Sequence, residues 1–179
     1  MARPRQKNRI IVSGNIIYLI LEDKKGNEIA KAIIDKEDYS KVLAVGRKFY
    51  MKRNKNKSGQ YVINCDEKLH HTILETKNLI DHINGNPLDN KKRNLRICSK
   101  SQNQYNSKIR VDNTSGFKGV CWSKCYKKWR VYIYKNKHQI LLGYFNNKIE
   151  AAKAYNEAAK KYHGEFARLN RISQRGDIL

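Results

Sequence analysis

Leu79-Ile80-Asp81-His82-Ile83-Asn84-Gly85-Asn86-Pro87-Leu88-Asp89-Asn90-Lys91-Lys92-Arg93-Asn94-Leu95-Arg96-Ile97-Cys98 reads as a strand, a loop and a second strand. Leu79-Ile80 is a short apolar strand that delivers an Asp-His pair at its end. Gly85-Asn86-Pro87 is a turn, and Leu95 to Cys98 is apolar enough for a partner strand. Ser99-x-x-Gln102 follows as a capping box, so a helix begins there. Asn103 falls just inside that helix, where its side chain can point back at the strand ends. Asp81 is a hard oxygen ligand of the kind Mg²⁺ takes, one or two per ion with several waters retained, and Asn103 offers a carbonyl oxygen to the same ion. His82 has an ordinary pKa near 6.5 and suits a general base near neutral pH. Asn94 is placed to accept from the imidazole and hold its orientation. A metal, a base and a polarised phosphate are the parts needed to hydrolyse a phosphodiester.

The surrounding charge agrees. The 179 residues carry 38 Lys+Arg against 16 Asp+Glu, a formal net charge of +22, and 40% are hydrophobic, enough for ordinary cores. Such a charge points to nucleic acid or an anionic membrane surface. The longest apolar run, Ile16 to Leu21, is closed by Glu22, far below the roughly 20 residues of a spanning helix. No h-region follows the basic start, so the expectation is a soluble, unexported chain without a membrane partner. Residues 1–65 and 111–179 are each net +9, while 66–110 are net +4 and hold His70, His71 and His82. That is the pattern of a chemical centre between two electrostatic clamps. Cys65, Cys98, Cys121 and Cys125 are too few for a disulfide scaffold and read as reduced thiols.

Upstream, Ile10–Val12 and Ile16–Leu21 flank Ser13-Gly14-Asn15, a hairpin signal, and Lys24–Asn27 is a second turn leading to Ile29–Ile34. Asp35 to Asp38 looks like a helix start, with an N-cap acid and acids in the first turn, of a short helix ending by Gly46. Arg47–Met51 and Gln60–Cys65 read as two more strands. The loop between them, Lys52–Gly59, is basic and suited to follow a phosphate backbone; Arg53 and Lys55 are its candidate DNA contacts.

The string Asp81-His82-x-Asn84-Gly85-Asn86-x-x-Asp89-Asn90-x-x-x-Asn94-Leu95-Arg96 resembles the HNH nuclease family, in the branch typical of phage and intron-encoded homing endonucleases. The resemblance implies a ββα-metal fold with one divalent ion, Mg²⁺ or Mn²⁺. It carries Asp81 and Asn103 over as metal ligands, His82 as general base and Asn94 as the middle Asn of the name. Many members have a second His at the position of Asn103; Asn occurs in the homing branch and keeps an oxygen ligand, which disfavours Zn²⁺. Leu69-His70-His71-Thr72-Ile73-Leu74 resembles the stretch preceding the motif in the same branch. His70 is expected to be structural, packing on the motif, and His71 to lie at the surface.

Beyond Ser115 the pattern changes. Trp129 to Tyr134 alternates strictly, with Trp129, Val131 and Ile133 on one face and Arg130, Tyr132 and Tyr134 on the other. Gln139–Phe145 is a further strand. Asn147-x-x-Glu150 caps a helix running to about His163, with Gly164 as its stop and Ala151, Ala152, Tyr155, Ala158, Ala159 and Tyr162 as its apolar stripe. Lys118-Gly119-Val120, Leu142-Gly143-x-Phe145, Glu150-Ala151-Ala152-x-Ala154-Tyr155-Asn156 and Gly164-Glu165-Phe166-Ala167-x-Leu169-Asn170 resemble the apetala/ethylene-response-factor DNA-binding domain. That resemblance implies major-groove reading by the sheet, with Lys118, Trp122, Arg130, Tyr132, Tyr134 and Gln139 as candidate contacts. Cys121 stands where plant members often carry a contacting Arg, so the family's target sequence does not carry over.

The expected architecture is α+β: a basic β-rich region at 1–65, an HNH domain at 66–110, a DNA-binding domain at 111–171 built as a three-stranded antiparallel sheet on one helix, and a tail at 172–179. The two resemblances imply a metal-dependent endonuclease on double-stranded DNA in the cytoplasm of a bacterial or phage-infected cell. It leaves 5′-phosphate and 3′-hydroxyl ends, takes no small-molecule substrate and nicks as a monomer without need of an oligomer. The alternatives are a DNA-binding regulator with an inactive HNH module, and a basic RNA-binding protein.

Overall fold

The structure, a computed structural model, describes residues 7–53, 60–65 and 67–172. The chain is α+β and divides into two units, Met1–Cys98 and Ser99–Leu179.

The first unit begins with an antiparallel meander of β1 (Ile10–Ser13), β2 (Ile16–Glu22) and β3 (Glu28–Asp35). Ser13 pairs with Ile16, so Gly14-Asn15 is a two-residue turn, and Gly14 takes the positive φ (57°) such a turn requires. Period-two alternation sends Ile17, Leu19 and Leu21 of β2 and Ala32 and Ile34 of β3 into the core. Phe49, Val62, Leu69, Ile73, Ile80 and Leu95 join the same cluster. The meander and the Asp-His segment therefore share one apolar core.

After β3 the expected helix is split. Lys36–Asp38 is a single 3-10 turn and α1 covers Tyr39–Ala44. Asp35 makes no side-chain cap; its Oδ2 accepts from the Lys92 amide at 2.9 Å instead. β4 (Tyr50–Arg53) pairs with β5 (Gln60–Ile63), three residues later than the expected start. The reason lies at Phe49, whose amide and carbonyl are taken by the carboxamide of Asn8 (2.7 and 2.8 Å) in place of a strand partner. α2 (Leu69–Leu74) leads to β6 (Ile80–His82), which pairs with β7 (Leu95–Ile97).

The second unit opens with α3 (Lys100–Tyr105), capped as the sequence predicts: Gln102 N donates to Ser99 Oγ and Ser99 N to Gln102 Oε1. β8 (Val120–Ser123), β9 (Lys128–Lys135) and β10 (His138–Phe145) form an antiparallel sheet of order β10-β9-β8. α4 (Lys148–His163) lies on it, N-capped by Asn147. Ala151, Ala152, Tyr155 and Ala159 of α4 are buried with Val120, Val131 and Ile133 of the sheet. The small alanines allow this close approach, and Tyr155 fills the space over Gly119.

Candidate functional site

In the first unit β6 presents Asp81 and His82 as adjacent buried polar residues, 6% and 9% exposed. Their surroundings follow from the strand register. Asp81 is the direct partner of Arg96 on β7, and Arg96 donates to Asp81 Oδ2 from Nε (3.0 Å) and Nη2 (2.7 Å). Such a charge-assisted pair fixes the carboxylate's orientation.

His82 Nε2 donates to Asn90 Oδ1 at 3.2 Å. Asn90 is fully buried and doubly anchored: its Nδ2 donates to Pro87 O (3.1 Å) and its backbone N to Ile33 O on β3 (2.8 Å). Ile33 N in turn donates to Leu88 O (2.7 Å), so β3 straps the β6–β7 loop in place. With the proton on Nε2, the neutral imidazole carries its lone pair on Nδ1. Burial pushes the His82 pKa below its ordinary 6.5, opposed by the Asn90 bond and by the charges of Asp81 and Asp89. His70, on α2, meets the His82 ring edge-on with centroids 5.2 Å apart. Burial drives its pKa down to about 3, helped by the neighbouring His82, so it packs as a neutral ring. His71 is half-buried rather than at the surface and stands 4.7 Å from His70, ring to ring.

Asn94 is not the imidazole's partner, which corrects the sequence expectation. Its Oδ1 accepts from Asn84 N (3.0 Å), and its Nδ2 donates to Asn84 Oδ1 (3.1 Å) and Asp89 O (2.7 Å). The carboxamide is spent on closing the loop that carries Asn90. Sequence reasoning missed Asn90, although it lies in the quoted motif; the available signal was that Asn94, on the 3-10 turn before β7, needs its side chain to bridge that loop.

Among the described residues no group of three or more His, Cys, Asp and Glu comes together. The donors in question are of another kind: one carboxylate, Asp81, and one carboxamide oxygen, Asn103. Each is a hard oxygen donor of the kind Mg²⁺ or Mn²⁺ takes, one or two per ion with water completing the shell. Asp81 belongs to the first unit and Asn103 to α3 of the second.

The candidate DNA contacts separate by register. On β9, Arg130, Tyr132 and Tyr134 face away from α4; opposite them on β10 stand Tyr144, Leu141 and Gln139. Arg130 Nη2 reaches Gln139 Oε1 (3.4 Å), and Tyr132 and Tyr134 meet edge to face. Tyr126, in the β8–β9 turn, packs on Tyr144 with ring centroids 4.4 Å apart. Leu141, Tyr126 and Tyr144 are members of this face that sequence reasoning passed over; a strand assigned only by its ends gives no register. Two of the candidates stand apart from this face. Trp122 is the direct partner of Trp129, so it projects on the α4 side, 46% exposed and edge-on to Trp129. Lys118 turns inward, its ammonium bonded to the carbonyls of Tyr105 (2.6 Å) and Ser107 (2.8 Å). Arg53 closes β4, and Lys55 lies outside the described residues. All four cysteines are free thiols. No helix among the described residues is long and apolar enough to cross a membrane.

Residues 69–105 match the HNH endonuclease family. Protein 3.8 of Escherichia phage T7 is 36% identical over 92 residues, which cover 50% of this chain and 74% of the phage protein. No solved structure matches the chain.

Proposed function

We propose that this chain, which belongs to the family of Protein 3.8 of Escherichia phage T7 and carries an HNH endonuclease domain, is a site-specific DNA endonuclease of the phage or homing type. The observation that supports this most is the His82–Asn90 bond, which leaves Nδ1 as the basic nitrogen of a buried imidazole at a strand end beside a carboxylate. In the proposed reaction His82 Nδ1 takes a proton from water as that water attacks the scissile phosphorus in line. The bond to the 3′-oxygen breaks, the oxygen takes up a proton from solvent, and the ends are a 5′-phosphate and a 3′-hydroxyl. Asn90 holds the imidazole throughout, and Asn94 holds the loop that carries Asn90. Asp81, oriented by Arg96, and Asn103 are the residues to hold Mg²⁺ or Mn²⁺. When bound, such an ion supplies Lewis-acid stabilisation of charge on the phosphate and leaving oxygen.

Duplex DNA is held by the C-terminal module, residues 111–171, read as an apetala/ethylene-response-factor type domain with Arg130, Tyr132, Tyr134 and Gln139 toward the groove. Arg53, at the end of β4, and Lys55 add contacts to the DNA backbone. One centre per chain nicks one strand as a monomer, in the cytoplasm of a bacterial or phage-infected cell. The test is incubation of the purified protein with supercoiled DNA carrying its own flanking genomic sequence, with and without Mg²⁺, beside His82→Ala. Open circles that require Mg²⁺ and vanish in the variant are expected. Binding by both proteins with cutting by neither replaces this reading with a DNA-binding regulator.

A further inference from the structure

α3, the six-residue helix that carries Asn103, is too short to stand alone: isolated helices below about 12–15 residues are marginal in water. Its ordering draws on contacts at its C-terminal end from segments of the sheet-and-helix module that follow it in the chain, three of which act on Tyr105 and Ser107. The first is the turn before β8. Lys118 Nζ donates to Tyr105 O (2.6 Å), Ser107 O (2.8 Å) and Ser107 Oγ (3.3 Å), with Gln104 O at 3.5 Å. A cation there satisfies carbonyls that a helix C-terminus leaves without partners and complements the negative end of its dipole. Lys118 is itself pinned by Asn170, which bonds its amide (2.7 Å) and its carbonyl (3.1 Å). The second segment is the end of α4, where His163 stacks flat on Tyr105 with centroids 3.7 Å apart and planes 7° from parallel. His163 Nε2 donates to Tyr134 O of β9 at 2.7 Å, which fixes the ring to the sheet. The third is the β9–β10 turn, where Asn136 N donates to the Tyr105 hydroxyl at 3.0 Å.

We propose that Lys118 and the Tyr105–His163 stack are positioning elements for Asn103: the module read as the DNA-binding part also sets where a metal ligand of the nuclease stands. This rests on Asn103 serving as a ligand, as proposed above. Lys118 thereby gains a role different from DNA contact. Its ammonium bonds are spent on the last residue of α3 and on Ser107 just beyond it, and its loss takes a donor from two close backbone carbonyls.

The test uses the full chain bound to its flanking duplex and follows Mn²⁺ affinity by electron paramagnetic resonance. The variants are Asp81→Ala, Asn103→Ala, Lys118→Met and Lys118→Arg, with duplex binding in EDTA measured in parallel. Outer partners of metal ligands are typically worth about 10–100-fold in metal affinity; Lys118→Met is expected to lose Mn²⁺ affinity on that order while binding duplex in EDTA like the wild type. Lys118→Arg, which keeps donors toward the same carbonyls, is expected to recover most of the loss. Wild-type Mn²⁺ affinity in Lys118→Met, beside clear losses in Asp81→Ala and Asn103→Ala, overturns the positioning role alone. Equal Mn²⁺ affinity in the wild type and Asp81→Ala overturns the metal-site reading and this inference with it. If Lys118→Met does not fold, Tyr105→Phe, which keeps the stack and loses the Asn136 bond, is expected to show a smaller loss in the same direction, and no loss there overturns the proposal.

Discussion

At His82 two influences oppose each other, and their balance decides how the proposed base works. Burial favours the neutral ring; the Asn90 oxygen and the charges of Asp81 and Asp89 favour the imidazolium. Burial wins, so the folded pKa lies below 6.5 and the ring is neutral and competent at pH 7. Activity is then full above the folded pKa and is lost as pH falls through it, placing the acid limb of the rate profile below pH 6.5. Loss of a general base typically costs about 10²–10⁴-fold, so His82→Ala is expected to slow single-turnover nicking on that scale while leaving duplex affinity nearly intact. Asn90→Ala removes a contact that raises the pKa. The acid limb should move to lower pH, and the maximal rate should fall because the ring is no longer held. An Asn90→Ala profile superimposable on the wild type would remove Asn90 from the site. Asn94→Ala should act differently: it strips three hydrogen bonds from a buried loop closure, and leaving such groups unsatisfied costs about 1–3 kcal/mol each. Its signature is a lowered melting temperature rather than a shifted pH limb.

At the scale of elements, hydrogen-bonding local in sequence made some parts legible and long-range pairing hid the rest. The Ser99–Gln102 box, the Asn147 cap and the Gly164 stop are contained within a few residues, and each appears where the sequence predicts it. The Asp35 cap fails because Lys92, 57 residues away, claims the carboxylate. β4 starts late because Asn8, 41 residues away, occupies Phe49. The Asp-His pair was legible for the same local reason as the caps, whereas the imidazole's partner depends on the fold of a loop strapped to β3. On the C-terminal sheet the alternation of β9 was plain, but the facing of Trp122 and Lys118 required the register and the Tyr105–Ser107 carbonyls. Two predictions belong here. Gly119 has φ 74°, and a Cβ on it would stand 2.1 Å from the Tyr155 ring and 2.6 Å from Tyr132 O. Overpacking costs about 1–3 kcal/mol and a left-handed non-glycine residue about 1–2 more. Since 1 kcal/mol moves the melting point of a unit this size by about 4–8 °C, calorimetry on Gly119→Ala should show a drop of at least about 8 °C. A melting point within error of the wild type would contradict the Tyr155 packing. Arg130→Ala, on the face away from α4, should weaken duplex binding. If Arg130 contacts a phosphate, the salt slope falls by about 1; if it reads a base, specificity relaxes at one position.

For the whole molecule, protons and net charge act together. With a net charge of +22 the chain repels itself before it meets an acidic partner, and each proton it takes up adds to that load. The buried histidines decide where this matters. His70, His82 and His163 are 4%, 9% and 7% exposed, and burial lowers the pKa of all three. In the unfolded chain each titrates near 6.5, so below that pH the unfolded state binds more protons than the folded one. Stability from these groups is therefore complete above pH 6.5 and is lost progressively as pH falls toward their folded values. His70 has the widest window, from 6.5 down to about 3. Across that window a single such group makes unfolding easier by roughly 1.4 kcal/mol per pH unit. Urea titrations of the wild type at a series of pH values below 6.5 should show this decline. His70→Phe keeps a ring of similar size against His82 and removes the proton site, so its stability should fall less steeply with acid by about one proton's worth of slope. It should also keep its metal-free duplex binding, since His70 is on the buried side of α2. An unchanged slope in His70→Phe would mean that the ring is solvated in the folded state and that the packing of α2 against the Asp-His strand differs from the one described.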